Sequence, residues 1–72
     1  MTFIKRTVKV YFPPDTIVNV NKFNKWINRC YEFGAKNVYD TAFDPELRIL
    51  TIELNINPFK LKSTIFVDNT KI

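Results

Sequence analysis

Residues 20–34 read VNKFNKWINRCYEFG, and their spacing decides what the rest of the chain must supply. At about 100° per residue, Val20, Phe23, Trp26, Ile27, Cys30, Tyr31, Phe33 and Gly34 fall within an arc of about 160°. Lys22, Lys25 and Arg29 sit on the opposite side, with Asn21, Asn24, Asn28 and Glu32 between. This is an amphipathic helix, which takes most of its stability from packing one face on an apolar surface. Asn19 is the N-cap candidate, with Asn21 nearly as good, because an amide oxygen can accept from the first free helical amides. Gly34, the single glycine, stands where a left-handed residue ends a helix with least strain.

The flanking segments supply the surface as strands. Residues 3–12 alternate, with Ile4, Val8, Val10 and Phe12 on one face and Arg6 as a misfit. Phe3, Lys5, Thr7, Lys9 and Tyr11 take the other face. Pro13-Pro14 ends this strand, because proline has no amide hydrogen for the ladder. Ile17 and Val18 are expected to tuck under the helix. Residues 37–43 form a second strand, followed by Asp44-Pro45-Glu46-Leu47 as a type I turn. That turn sets Phe43 against Arg48, Thr41 against Leu50 and Tyr39 against Ile52. Leu50, Ile52, Leu54 and Ile56 then share the helix face with Tyr39, Thr41 and Phe43, so pattern and turn agree. Asn57-Pro58-Phe59-Lys60 makes a second turn, setting Ile56 against Leu61, Ile52 against Ile65 and Leu50 against Val67. Residues 68–72 read as a loose end.

The expected architecture is α+β in one domain, residues 1–72: β-α-β-β-β, one helix on one face of a mostly antiparallel four-stranded sheet. The simplest strand order is a meander of strands two, three and four, with strand one at an edge and parallel to strand two through a right-handed crossover. The alternative sets strand one beside strand three, as in half of a ferredoxin-like fold. Strand four would then move to an outer position or into a second chain.

Composition narrows the function. A chain of 72 residues buries only about 60% of its unfolded surface, so a staple or a partner often supplements the core. Cys30 is the single cysteine, which removes disulfides, and its helix face makes it a small core hydrophobe. A lone thiol suits a reducing cytoplasm. Phe3-Ile4 is interrupted by Lys5-Arg6, unlike a signal peptide, and no apolar run nears the roughly 20 residues of a membrane span. The absence of histidine closes the Ser-His-Asp and Cys-His schemes and imidazole metal sites. One glycine cannot build a phosphate loop. No catalytic residues, metal or cofactor are therefore expected. Asp40 and Glu53, diagonal on the outer face, are the nearest approach to an acid pair and read as solvated carboxylates. An RNase-like toxin using Lys, Arg and Tyr ranks third among the functional readings.

The net charge of +4 favours an acidic partner, and a small basic nucleic-acid-binding module is the leading expectation. Lys5, Lys9, Tyr11 and Lys62 would form its open-sheet surface, holding phosphates while bases stack. The competing reading of those lysines is a strand edge protected against aggregation. A second basic patch, Lys22, Lys25 and Arg29, competes with a plain solvated helix back. Ile49 and Phe66 on the outer face, with Trp26 at the helix edge, form a candidate protein interface. It would serve a homodimer or a host protein bound by a phage- or plasmid-type accessory factor. The wealth of Asn, Ile, Lys and Phe is the trace of an AT-rich genome, pointing to a low-GC bacterium, a phage or a mobile element.

Overall fold

The computed structural model describes residues 2–61 and 63–69. In chain order they form β1 (Ile4–Tyr11), α1 (Val20–Glu32), β2 (Ala35–Asp44), β3 (Ile49–Ile56) and β4 (Ile65–Val67). The helix packs on one face of a four-stranded mixed sheet of order β2-β3-β1-β4. β3 runs antiparallel to both β1 and β2, and β4 runs parallel to β1. The β-α-β-β-β expectation holds in its split form, not as a meander.

Burial explains the order. Val8, Val10, Leu50, Ile52, Leu54 and Ile56 are at most 1% exposed, so β1 and β3 hold the two central positions. Val8 faces Ile52 and Val10 faces Leu50, the places expected for Ile65 and Val67. An eight-residue strand completes more of the ladder and covers more apolar surface than a three-residue one, and short strands belong at edges. The second turn does form. Lys60 N–H donates to Asn57 O at 3.0 Å and Phe59 N–H to Asn57 Oδ1 at 3.0 Å. It sends the chain past β1 instead of back along β3.

The first hairpin has a longer loop than expected. Asp44 Oδ1 accepts from Glu46 N–H at 2.9 Å and Leu47 N–H at 3.1 Å, and Arg48 takes φ 57°. The register therefore moves by two residues, to Phe43 opposite Leu50 and Thr41 opposite Ile52. A shift of two preserves which side chains face the helix. Irregularities between Val38 and Asp40 and between Ala35 and Asn37 do not. Val38 packs on the core, while Tyr39, expected inward, is 53% exposed. Arg48 ties this hairpin to the end of β1. Its guanidinium donates to the carbonyls of Phe12 at 2.8 Å, Pro13 at 3.0 Å and Thr16, and its own carbonyl accepts from Phe12 N–H at 2.8 Å.

Asn19 caps α1, its Oδ1 accepting from Lys22 N–H at 3.0 Å, and Gly34 takes φ +104° just past the end. Lys22, Trp26 and Cys30 are buried and Phe23 and Ile27 partly so, whereas Val20 and Tyr31 are exposed. The buried stripe is thus rotated by about 30° from the apolar arc, toward Lys22. β4 is the cause. Phe66 packs on Trp26 and Phe33, with ring centroids 5.7 and 5.8 Å apart. Asp68, expected in a loose end, is 2% exposed. Its Oδ2 accepts from Trp26 Nε1–H at 3.1 Å, its Oδ1 lies 3.7 Å from Lys22 Nζ, and its N–H donates to Tyr11 O at 2.8 Å. Val18 reaches the core, but Ile17 stays 53% exposed.

Two substitutions test this packing. Gly34→Val meets positive φ and sets its Cβ 2.9 Å from Lys60 Cδ, so a loss of about 1 kcal/mol or more is expected. Thermal unfolding followed by circular dichroism should show a fall of about 4–8 °C for each kcal/mol. Asp68→Ala removes an acceptor shared by two buried donors, at an expected cost of about 3 kcal/mol or more. Urea unfolding should show the folded baseline largely lost, with Asp68→Asn milder because it still accepts from Trp26.

Candidate nucleic-acid interface

Val8 and Val10 face the helix, so the alternation of β1 turns Lys5, Thr7, Lys9 and Tyr11 to the open side of the sheet. The register extends each into a row. Lys5 lies beside Asn55 and Asn37; Thr7 beside Glu53 and Asp40; Lys9 beside Thr51, Ala42 and Ile65; Tyr11 beside Ile49, Asp44 and Val67. Lys5, Lys9 and Tyr11 therefore do share the open face, while Lys62 lies outside the described residues. Asp40 stands directly opposite Glu53 and not diagonal to it, with Lys5 and Lys9 at the diagonal positions of β1. Two carboxylates thus lie between two ammonium groups. The middle of the sheet is charge-balanced, so a phosphate chain laid straight across it gains less than it would along a run of cations.

A second group of cations gathers at one end of the strands. The pairing of Ile56 with Ile4 and Ala35 brings together the starts of β1 and β2 and the end of β3. Lys5, Arg6, Lys36 and Lys60 all come from this end, Lys5 on the open face and Arg6, beside Leu54, on the helix face. The Lys5 ammonium lies 5.6 Å from the centroid of the Tyr39 ring, and that of Lys36 lies 5.5 Å from Phe3. Lys60 lays its methylenes over Gly34. Arg6 lines an open depression of about 540 Å³ with Pro58, Leu61, Ser63 and Thr64. Phe59, at the tip of the second turn, is 92% exposed. Arg6 read as a strand misfit, and Lys36 and Lys60 stood apart in sequence. Their flanking of turns and strand ends was the available signal, but only the strand order unites them.

The helix patch is smaller than expected. Lys22 is buried beside Asp68, because β4 covers that flank, which leaves Lys25 and Arg29 exposed. The Arg29 guanidinium lies over the Trp26 ring, 4.9 Å from its centroid. Of the candidate protein-contact residues, Ile49 lies on the open face and is half-buried. Trp26 is core, at 5% exposed, and Phe66 turns toward the helix because the parallel register of β4 points Ile65 and Val67 outward instead. Ile65 and Val67 are 71% and 45% exposed, beside Lys9 and Tyr11.

Cys30 is 3% exposed, and burial pushes its thiol up to about 11. Among the described residues no group of three or more His, Cys, Asp or Glu is arranged to hold a metal ion. No helix among them is long and apolar enough to cross a membrane. Comparison with protein-family models, with curated proteins and with solved structures found no match.

The thiol provides a readout of folding. With its pKa near 11 and its sulfur covered, Cys30 should resist a thiol reagent at pH 8 in the folded protein. It should react stoichiometrically once guanidinium unfolds the chain. Fast reaction without denaturant would mean that the helix does not stay docked.

Proposed function

We propose that this domain is a non-enzymatic nucleic-acid-binding module of a reducing cytoplasm. The supporting observation is the collection of Lys5, Arg6, Lys36 and Lys60 at one end of the sheet, interleaved with Phe3, Tyr39 and Phe59. The open face contributes through Lys5, and Lys9 and Tyr11 lie further along the same strand. Asp40 and Glu53 interrupt the route between Lys5 and Lys9. The backbone of a bound strand is therefore best held around the end of the sheet, where ammonium and guanidinium groups release counterions as they meet phosphates.

Anisotropy titration of a labelled oligonucleotide tests this. Four phosphate contacts should weaken binding about 50- to 150-fold between about 50 and 200 mM salt. Lys5→Ala with Lys36→Ala should flatten the logarithmic salt slope by about 1.5–2 units, whereas Lys25→Ala with Arg29→Ala should alter it less. No binding by the wild type at about 50 mM salt would reject the proposal.

A second reading is favoured by exposed Ile65 and Val67 next to Tyr11 and Ile49. These residues suit an apolar contact with another protein, a second copy in a twofold dimer being the simplest. Light scattering at several concentrations should then give the mass of two chains, and Val67→Glu should lower it to one. A constant single-chain mass would remove self-association.

A further inference from the structure

We propose that the nucleic acid held at this end of the sheet is single-stranded, with one unpaired base stacked on Phe59 and another on Tyr39. This rests on the phosphate-binding reading above and adds the class of strand. Phe59 is 92% exposed, yet the turn beneath it is well held. Asn57 is 7% exposed, its Oδ1 and carbonyl each accept from an amide of the turn at 3.0 Å, and Pro58 limits the backbone between them. The ring therefore stands on a braced support with both faces open. Tyr39 is 53% exposed, turned out by the irregularity between Val38 and Asp40.

The Lys5 ammonium lies 5.6 Å from the Tyr39 centroid, and Lys60, the residue after Phe59, carries its methylenes over Gly34. A base on an aromatic face with its phosphate on an adjacent ammonium is the unit from which sequence-tolerant single-strand grooves are built. Duplex nucleic acid has no free base faces to offer along its length. Its bases are read through the grooves, from an inserted helix or a two-stranded ribbon. Phe59 sits on a turn, and Lys5, Arg6 and Lys36 lie at a sheet end, so neither provides such an element. Stacking is thus the use that fits an uncovered phenyl ring on a turn at the end of the sheet that carries these cations.

The test compares a labelled mixed-sequence single strand with its own duplex, at equal length, by anisotropy at about 50 mM salt. The wild type should bind the single strand at least about tenfold more tightly, since stacking on bases is lost in the duplex. Phe59→Ala should lower single-strand affinity about 5- to 150-fold without changing the salt slope. Phe59→Leu should behave like alanine and Phe59→Trp should keep affinity. Lys60→Ala should flatten the slope but leave the preference for single strands. With its ring at 92% exposure, Phe59→Ala should melt like the wild type. Equal or tighter duplex binding, or unchanged affinity in Phe59→Ala, overturns the single-strand assignment while the phosphate-binding proposal stands. No binding to either form removes both. Binding to anionic lipid vesicles that depends on Phe59, with no binding to oligonucleotide, would also overturn it.

Discussion

The buried carboxylate of Asp68 holds the sheet's last strand to the helix. It lies between the Trp26 indole and the Lys22 ammonium, and its own backbone amide bonds to Tyr11. A charge so far from water is tolerable only with partners of this kind. The contact connects the C-terminal end of the chain to the N-terminal half of α1 and to the end of β1. Once it forms, Phe66 is positioned against Trp26 and Phe33, and Ile65 and Val67 must face outward. The rotation of the helix about its axis and the outward turn of Ile65 and Val67 go with this contact.

A second tie works at the hairpin end. Arg48 bonds the carbonyls of Phe12, Pro13 and Thr16 where the chain leaves the central strand, the Pro13 carbonyl also accepting from Thr16 N–H. The same residue adopts positive φ to close the β2–β3 loop. Phe12, Phe23 and Phe43 pack against one another, with centroids 5.2–6.0 Å apart. These two ties let a small core function without a disulfide, one at the hairpin and the other at β4.

Charge is divided along the strands. Lys5, Arg6, Lys36 and Lys60 belong to the end where Ile4 meets Ile56, and Asp44 and Glu46 to the hairpin beyond Tyr11 and Ile49. The Asp40–Glu53 pair lies between these ends. The net charge of +4 does not reveal this arrangement.

The α+β class, the helix with its Asn19 cap and Gly34 terminus, and the inward sets of β1 and β3 were all present in the sequence. Each depends on local spacing, and the physics of capping and alternation acts within a few residues. Lys5, Lys9 and Tyr11 could be assigned to one face for the same reason. The strand order could not be obtained this way, because the second turn allowed a hairpin that only competition with β1 for the edge of β3 excluded. From that order came the reversal of Phe66, the burial of Lys22 and Asp68, and the placing of Lys36 and Lys60 at the same end of the sheet as Lys5 and Arg6. Those relations join residues distant in the chain, and no local pattern encodes them. They are decided when the two most apolar strands take the centre and the shorter strand is left to dock beneath the helix.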